Sequence, residues 1–360
     1  MKTKLIFIGG FLGAGKTTML AKLAELLTAQ GKCIGMITND QAENLVDTAL
    51  LKKSGSVIAE VSGSCFCCNF PGLDAAIRNM QQGRELDYIL AEPVGSCTDL
   101  SATILQPLKE KLAEAVSPAP LCVLADPLRL QDILRGGNSG LPKSAAYIVK
   151  KQMEEADMLV INKSDLLTER EAAGLKQTAE RAFPKAKVFF VSALTGEGIE
   201  KWLQAVLLMS GAGTHLTEVD YDVYAEGEAM LGWLNARISL QHVAAGRGFI
   251  RSYLRGLSEQ FAKKKAGIGH VKVLLEGEEG YALGNLTGMS PLQLREKGST
   301  EGSLMMTLNA RVQMEPEDLQ KIVVEELSRA SQAGVCCDIR ELRCLKPGRP
   351  HPTYRYCRIA

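Results

Sequence analysis

Gly10-Phe11-Leu12-Gly13-Ala14-Gly15-Lys16-Thr17 has the spacing G-x-x-x-x-G-K-[ST]. It follows an apolar run and opens a helical pattern, which is the context this spacing needs to hold a phosphate chain. Glycines let backbone N–H groups turn inward around phosphate oxygens, and the following helix N-terminus adds partial positive charge. Gly10, Gly13, Ala14, Gly15 and Thr18 form the expected cradle. Lys16 is expected on the β- and γ-phosphates and Thr17 on Mg²⁺.

Asn162-Lys163-Ser164-Asp165 follows the apolar run 158–161. In this N-K-x-D pattern the Asp165 carboxylate can accept two hydrogen bonds from the N1–H and 2-amino edge of guanine. Adenine lacks that donor pair and would leave a carboxylate unpaired. Lys163 can lay its stem over the base, and Asn162 can tie the loop to neighbouring backbone. After the next run come Ser192 and Ala193, whose backbone N–H is expected at the guanine 6-oxo group. Between these lies Glu92-Pro93-Val94-Gly95. Glu92 can hold a Mg²⁺-bound water, and the Gly95 N–H can sense a γ-phosphate. Thr38-Asn39-Asp40-Gln41-Ala42, with Asp47 beyond, stands where a nucleotide-responsive loop is expected. Asp40 is the candidate for orienting water or meeting Mg²⁺ through water, with a plain turn residue as the alternative. The candidates for catalysis are thus Lys16, Asp40, Glu92 and Gly95.

Cys65-Phe66-Cys67-Cys68 places three thiols in four residues just past the run 56–61. In an extended chain Cys65 and Cys67 share a side, and Cys68 can swing in where the chain turns toward Pro71. Three thiolates suit Zn²⁺, Co²⁺ or Cu⁺, with an open fourth position for transfer. Packing or redox thiols are the alternative. Cys97 reads as a buried cysteine at the start of a helix, or else as an extra thiolate. Cys33 and Cys122 read as small buried hydrophobes. Cys336, Cys337, Cys344, His351 and Cys357 fit no compact zinc spacing.

Together these motifs resemble the CobW-type metallochaperone GTPases, within the wider group of P-loop GTPases that carry Glu in the third motif. The resemblance spans roughly residues 4–208. It implies a GTP-gated metal site at Cys65, Cys67 and Cys68, delivery of a metal or metallocofactor to a client, and a nucleotide-dependent homodimer. The chain differs from the common family pattern at Ser64, at Asn39-Asp40-Gln41-Ala42, and in having four scattered histidines instead of a His-rich tract. The metal and the client stay open.

Runs at 5–9, 33–38, 56–61, 88–91, 121–125, 158–161 and 188–191 read as strands buried on both faces, separated by helical stretches such as 18–29. That alternation predicts a doubly wound, mainly parallel α/β sheet with ligands at its carboxyl edge. The predicted organisation is a P-loop GTPase domain over 1–210, a linker at 211–218 and an α+β domain over 219–360 that docks a client. In the second part strands are expected at 236–240, 270–275, 281–285, 303–313 and 338–345, with helices at 246–265 and 316–333. The tail 347–356 is expected to be extended, with Arg349 and Arg355 on a solvated surface.

The chain has 360 residues and a formal net charge of +1, so no bulk field points to nucleic acid or an anionic membrane. No apolar run is long enough to span a bilayer, and clustered rather than framework cysteines fit a reducing, cytoplasmic setting. The leading expectation is a GTP hydrolase that couples turnover to delivery of Zn²⁺ or Co²⁺. One alternative is a GTPase that protects a corrinoid (cobalamin-dependent) enzyme. Another is a thiol store or sensor with structural nucleotide. Turnover is expected to be slow, since no arginine in these motifs supplies a finger in cis.

Overall fold

The computed structural model describes residues 2–39, 46 and 57–360, which form two β-sheets with their helices. The first sheet holds β1 (Thr3–Gly10), β2 (Ile34–Asn39), β3 (Val57–Val61), β4 (Tyr88–Glu92), β5 (Val116–Pro118), β6 (Cys122–Ala125), β7 (Met158–Ile161) and β8 (Lys187–Phe190). Its order is β3-β2-β4-β1-β6-β7-β8, all parallel, with β5 beside the start of β1. Alternation along β1 explains its unbroken apolar run. Leu5 and Phe7 enter the core on one face, while Ile6 and Ile8 enter the core on the other. The helix Lys16–Ala29 seals the second face with Met19, Leu20, Leu23 and Leu27.

Two expectations fail at the margins. Strands β3 and β8 end the sheet and are only half-buried, because an edge strand lacks a neighbour on one side. Cys33 is exposed, not buried, because it precedes β2 and its N–H reaches out to Asp87 Oδ2 at 2.8 Å. The short β5 had no recognisable apolar run of its own.

The second sheet is antiparallel and contains β9 (Gly232–Val243), β10 (Ile268–Glu276), β11 (Gly280–Leu286), β12 (Gln293–Gly298), β13 (Gly302–Val312) and β14 (Cys336–Leu345), in the order β12-β11-β10-β13-β9-β14. Helices Gly246–Lys263 and Pro316–Gln332 cover one face. Strand β12, unforeseen, is a charged edge strand that pairs, among the described residues, only with β11. On β10, Val271, Val273 and Leu275 enter the helix-covered core. Period-two alternation therefore turns His270 and Lys272 the other way, where they line a cleft shared with Gly13, Lys16 and Thr17.

The segment 211–218, read as a linker, is docked. Asp157 accepts hydrogen bonds from the Gly213 N–H at 2.6 Å and the Thr214 N–H at 2.8 Å. The helix Tyr221–Ala229 then packs on Lys143–Glu154 so closely that a Cβ on Gly227 would lie 2.4 Å from the Ser144 carbonyl oxygen. No helix among the described residues is long and apolar enough to cross a membrane.

Candidate nucleotide and metal site

Every strand of the first sheet that carries a motif releases it at the same carboxyl edge. Strand β1 ends at Gly10, where the phosphate-cradle spacing begins. Gly10, Gly13 and Gly15 have φ of +124°, +80° and +94°, values only glycine adopts without strain. Space demands glycine too. A Cβ on Gly13 would lie 2.5 Å from Thr287 Cγ2, and one on Gly15 2.3 Å from Asn162 Nδ2. Ala14 is buried, its N–H donating to the Phe11 carbonyl. Gly13 and Gly15 line one wall of a cleft. Its other wall comes from the second domain: His270, Lys272, Asn285, Thr287 and Ser290.

The structure brings Lys16, Thr17, Glu92 and Gly95 together. The Thr17 hydroxyl donates to Glu92 Oε1 at 3.2 Å, and Lys16 Nζ lies 3.8 Å from the same oxygen. A Cβ on Gly95 would sit 2.9 Å from Lys16 Nζ, so only glycine lets this backbone approach the ammonium. Lys272 donates to Thr17 Oγ1 at 3.4 Å. Burial holds His270 neutral, well below the usual imidazole range, and nearby Lys272, Arg311 and Lys16 push the same way. Asp40, Gln41, Ala42 and Asp47 lie outside the described residues.

The base-reading motif is assembled through side chains. Asn162 Nδ2 donates to the Ala14 carbonyl at 2.8 Å, and its Oδ1 accepts from the Ala193 N–H at 2.9 Å. That N–H, expected at a guanine oxygen, is thus engaged by Asn162, whose amide spans the two loops. Lys163 has φ +60° and pairs with Asp126 Oδ2 at 2.6 Å. Ser290 of the second domain donates to the same oxygen at 2.6 Å. Burial would raise Asp126, but Lys163 outweighs it and holds the carboxyl below its ordinary range. Asp165 is exposed and is oriented by the Ser192 hydroxyl at 2.6 Å.

The three thiols converge, with all sulfurs within 4.8 Å of one another. Cys65 and Cys67 Sγ are 2.9 Å apart, and Cys67 and Cys68 3.9 Å. Convergence comes from a tight turn and not from an extended chain. The N–H groups of Cys68 and Asn69 both donate to the Cys65 carbonyl, at 3.0 and 2.9 Å. Asn39, at the end of β2, staples that turn. It donates to the carbonyls of Val61 and Ser64 at 2.8 Å each and accepts from the Phe66 N–H at 2.7 Å. Hydrogen bonds from Cys67, Cys68 and Cys97 hold Cys65 well below the usual thiol range, while Cys67 is raised in turn by its bond to Cys65. Among the described residues no other group of Cys, His, Asp or Glu converges in this way.

The C-terminal tail crosses this turn. Thr353 N–H donates to the Cys67 carbonyl at 2.8 Å, and His351 N–H donates to Cys68 Sγ at 3.2 Å. Tyr354 packs edge-on against Phe70. Arg355, expected on a solvated surface, pairs with buried Asp99 at 2.6 Å, and Arg349 pairs with Asp222.

Glu155 sits under the segment that follows Gly95. It accepts from Thr98 Oγ1 and the Ser101 N–H, each at 3.0 Å. Burial lifts its carboxyl to about 8 in the folded protein, partly opposed by the Ser101 N–H. A folded-state value above the unfolded one means the folded chain holds this proton more tightly. The resulting stability is complete below the ordinary carboxylate range and is lost as pH rises toward the folded value. Glu155→Gln should therefore remove a decline on the order of 3 kcal/mol between about pH 5 and 8. Urea unfolding midpoints of both proteins across that range measure it. A wild-type decline no steeper than the variant's would contradict the assignment.

Sequence patterns named Asn39 only within a nucleotide-responsive loop and the tail only as extended, and did not point to Asp126, His270 or Lys272. Asp126 alone left a signal: it follows the strand run 121–125 at the edge where ligands bind, before Pro127.

Residues 4–190 match the family described as CobW/HypB/UreG, nucleotide-binding domain. Over 178 residues the chain is 29% identical to "Zinc chaperone YeiR" of Escherichia coli, covering 49% of this chain and 51% of that protein. It is 29% identical over 229 residues to "Zinc chaperone CobW" of Sinorhizobium, covering 58% and 62%. It is 26% identical over 187 residues to "Zinc-regulated GTPase metalloprotein activator 1" of Schizosaccharomyces pombe, covering 50% and 43%. The chain thus spans about half the length of the curated relatives it matches. With more than half of its length inside the family match, and with a parallel sheet that delivers the phosphate, base and thiol motifs to one edge, this chain belongs to the CobW/HypB/UreG family.

Proposed function

We propose that this protein is a GTP-dependent metallochaperone that carries Zn²⁺ or Co²⁺ on Cys65, Cys67 and Cys68 and hydrolyses GTP as it passes the metal to a client protein. One observation carries the reading. The turn after β3 gathers the thiols, and the turn after β4 sets Gly95 against Lys16, so sulfur ligands and phosphate sensor occupy strand ends two apart in one sheet. The names of the zinc chaperone and zinc-regulated GTPase relatives support the same reading.

In this reading the positive-φ glycines and the Lys16 ammonium bind the phosphates. Thr17 and Glu92 offer adjoining oxygens that fit Mg²⁺, which when bound would neutralise phosphate charge. Lys272 brings a further cation from the second domain, which closes over the phosphates. Cys65, Cys67 and Cys68 are the sulfurs that take the metal. The half-buried Cys68 is the sulfur through which it leaves.

Guanine selectivity tests the nucleotide half. Asp165→Asn exchanges an acceptor pair for an amide that opposes a donor to the guanine N1–H. GTP affinity should fall about 10²–10³-fold while affinity for xanthosine triphosphate rises. Equilibrium binding of both nucleotides to the two proteins reads the effect. Unchanged GTP affinity in the variant would remove Asp165 from the base site.

A further inference from the structure

Asp126 stands at the carboxyl end of β6, the strand between β1, which releases the phosphate cradle, and β7, which releases the base-reading loop. Its two oxygens have different partners. Oδ1 accepts from the N–H groups of Leu128 and Arg129 at 3.0 and 3.2 Å and so caps the helix Pro127–Leu134. Oδ2 accepts from Lys163 Nζ and from the Ser290 hydroxyl, each at 2.6 Å. All three side chains are buried. A carboxylate has about four acceptor positions, and these donors fill them. Lys163 is at φ +60°, a conformation that is costly for a residue with a Cβ and persists where the surroundings hold it. The Asp126 carboxylate is such a hold. Ser290 belongs to the turn between β11 and β12, and its N–H donates to Thr287 Oγ1 at 3.2 Å. Thr287 packs on the cradle at Gly13. One turn of the second domain therefore meets both nucleotide loops.

We propose that Asp126 is a positioning residue of the guanine site, which holds Lys163 where its stem covers the base, and that Ser290 ties the second domain to the same carboxylate. The proposal rests on the reading that Lys163 and Asp165 bind guanine. Lysine has a flexible four-carbon stem, and a base that rests on it must order it. With the ammonium already fixed on Asp126, much of that ordering is done before the nucleotide arrives. Asp126 acts through Lys163 and touches no nucleotide itself. A base that settles Lys163 also settles the oxygen on which Ser290 sits. Guanine binding and the seating of the second-domain turn therefore strengthen each other, in both directions by the same factor.

Equilibrium binding of fluorescent GDP to full-length variants tests this. Asp126→Asn keeps an oxygen to cap the helix but removes the charge that holds Lys163. GDP affinity should fall about 10–100-fold. Lys163→Met should lose a similar factor, and the double variant should be little worse than either single one. Ser290→Ala should cost about 3–10-fold, and that loss too should vanish in the Lys163→Met background. Asp126→Ser, which also caps a helix well, gives a second reading of the same loss, with circular dichroism to show that each variant is folded. Hydrogen exchange across residues 287–293 should slow on GDP binding in the wild type and slow less in Asp126→Asn. A residue that only caps its helix would leave GDP affinity at the wild-type value in Asp126→Asn, or add its effect in full to that of Lys163→Met, and either result overturns the positioning role. Wild-type affinity and exchange in Ser290→Ala would overturn the second-domain link. Should Asp165→Asn weaken GDP while Asp126→Asn does not, this inference alone fails. Should Asp165→Asn also bind GDP as the wild type does, the guanine-site reading fails and takes the inference with it.

Discussion

Lys16→Ala is expected to lower GTP hydrolysis about 10³-fold and guanine-nucleotide affinity about 10²-fold or more. Lys16 is 6% exposed, so little water screens its ammonium from a phosphate. It also sits 3.8 Å from Glu92 Oε1, expected to hold a Mg²⁺-bound water, and against Gly95, expected to sense a γ-phosphate. Removing it takes a cation from a carboxylate that is itself 6% exposed. Some loss of stability should therefore accompany the loss of turnover. Lys16→Met keeps the stem and deletes only the charge, which separates packing from electrostatics. Single-turnover hydrolysis and fluorescent-nucleotide binding on both variants measure the effect. Wild-type turnover in folded Lys16→Met would refute a phosphate role for this lysine.

The second large effect is expected at the thiols. Cys67 is the middle sulfur, 2.9 Å from Cys65 and 3.9 Å from Cys68. Deleting it leaves two ligands that the turn no longer bridges. Structural zinc sites bind with about 10–16 kcal/mol shared among four ligands, so one lost thiolate should weaken Zn²⁺ about 10²–10³-fold. Truncation to alanine removes one buried sulfur and should cost only about 1 kcal/mol of packing, so the variant should remain folded. A competition titration against a chromophoric chelator reads the affinity. Equal Zn²⁺ affinity in wild type and Cys67→Ala would show that the cluster packs sulfur and does not bind metal.

The tail adds a physical reason to study these variants in the full chain. Thr353 and His351 bond the carbonyl of Cys67 and the sulfur of Cys68, while Arg355 bonds Asp99 on the segment that carries Cys97. A chain cut before Thr353 would lack contacts that shape the thiol turn and the segment after Gly95.

Much of the chemistry is local in sequence, and local patterns are what a sequence shows. A phosphate cradle needs glycines at set intervals because backbone, not side chain, does the binding. The residues 10–17 therefore announce themselves, and their positive φ values follow from the same need. Buried parallel strands must be apolar on both faces, so β1, β4, β6 and β7 were legible, whereas β5 and the charged edge strand β12 carried no such mark. The convergence of three thiols within four residues was readable from spacing, although the turn that achieves it was not, since it depends on Asn39 reaching across from another strand.

What only the tertiary structure decided involves partners far apart in the chain. Ser290 meets Asp126, Lys272 meets Thr17, and Thr353 meets Cys67 across 164, 255 and 286 residues, and no periodicity encodes such pairings. Composition and spacing determine which groups can bind phosphate, guanine or metal. Strand order determines which of them share a site, because it sets the distances between loops that leave the sheet at one edge.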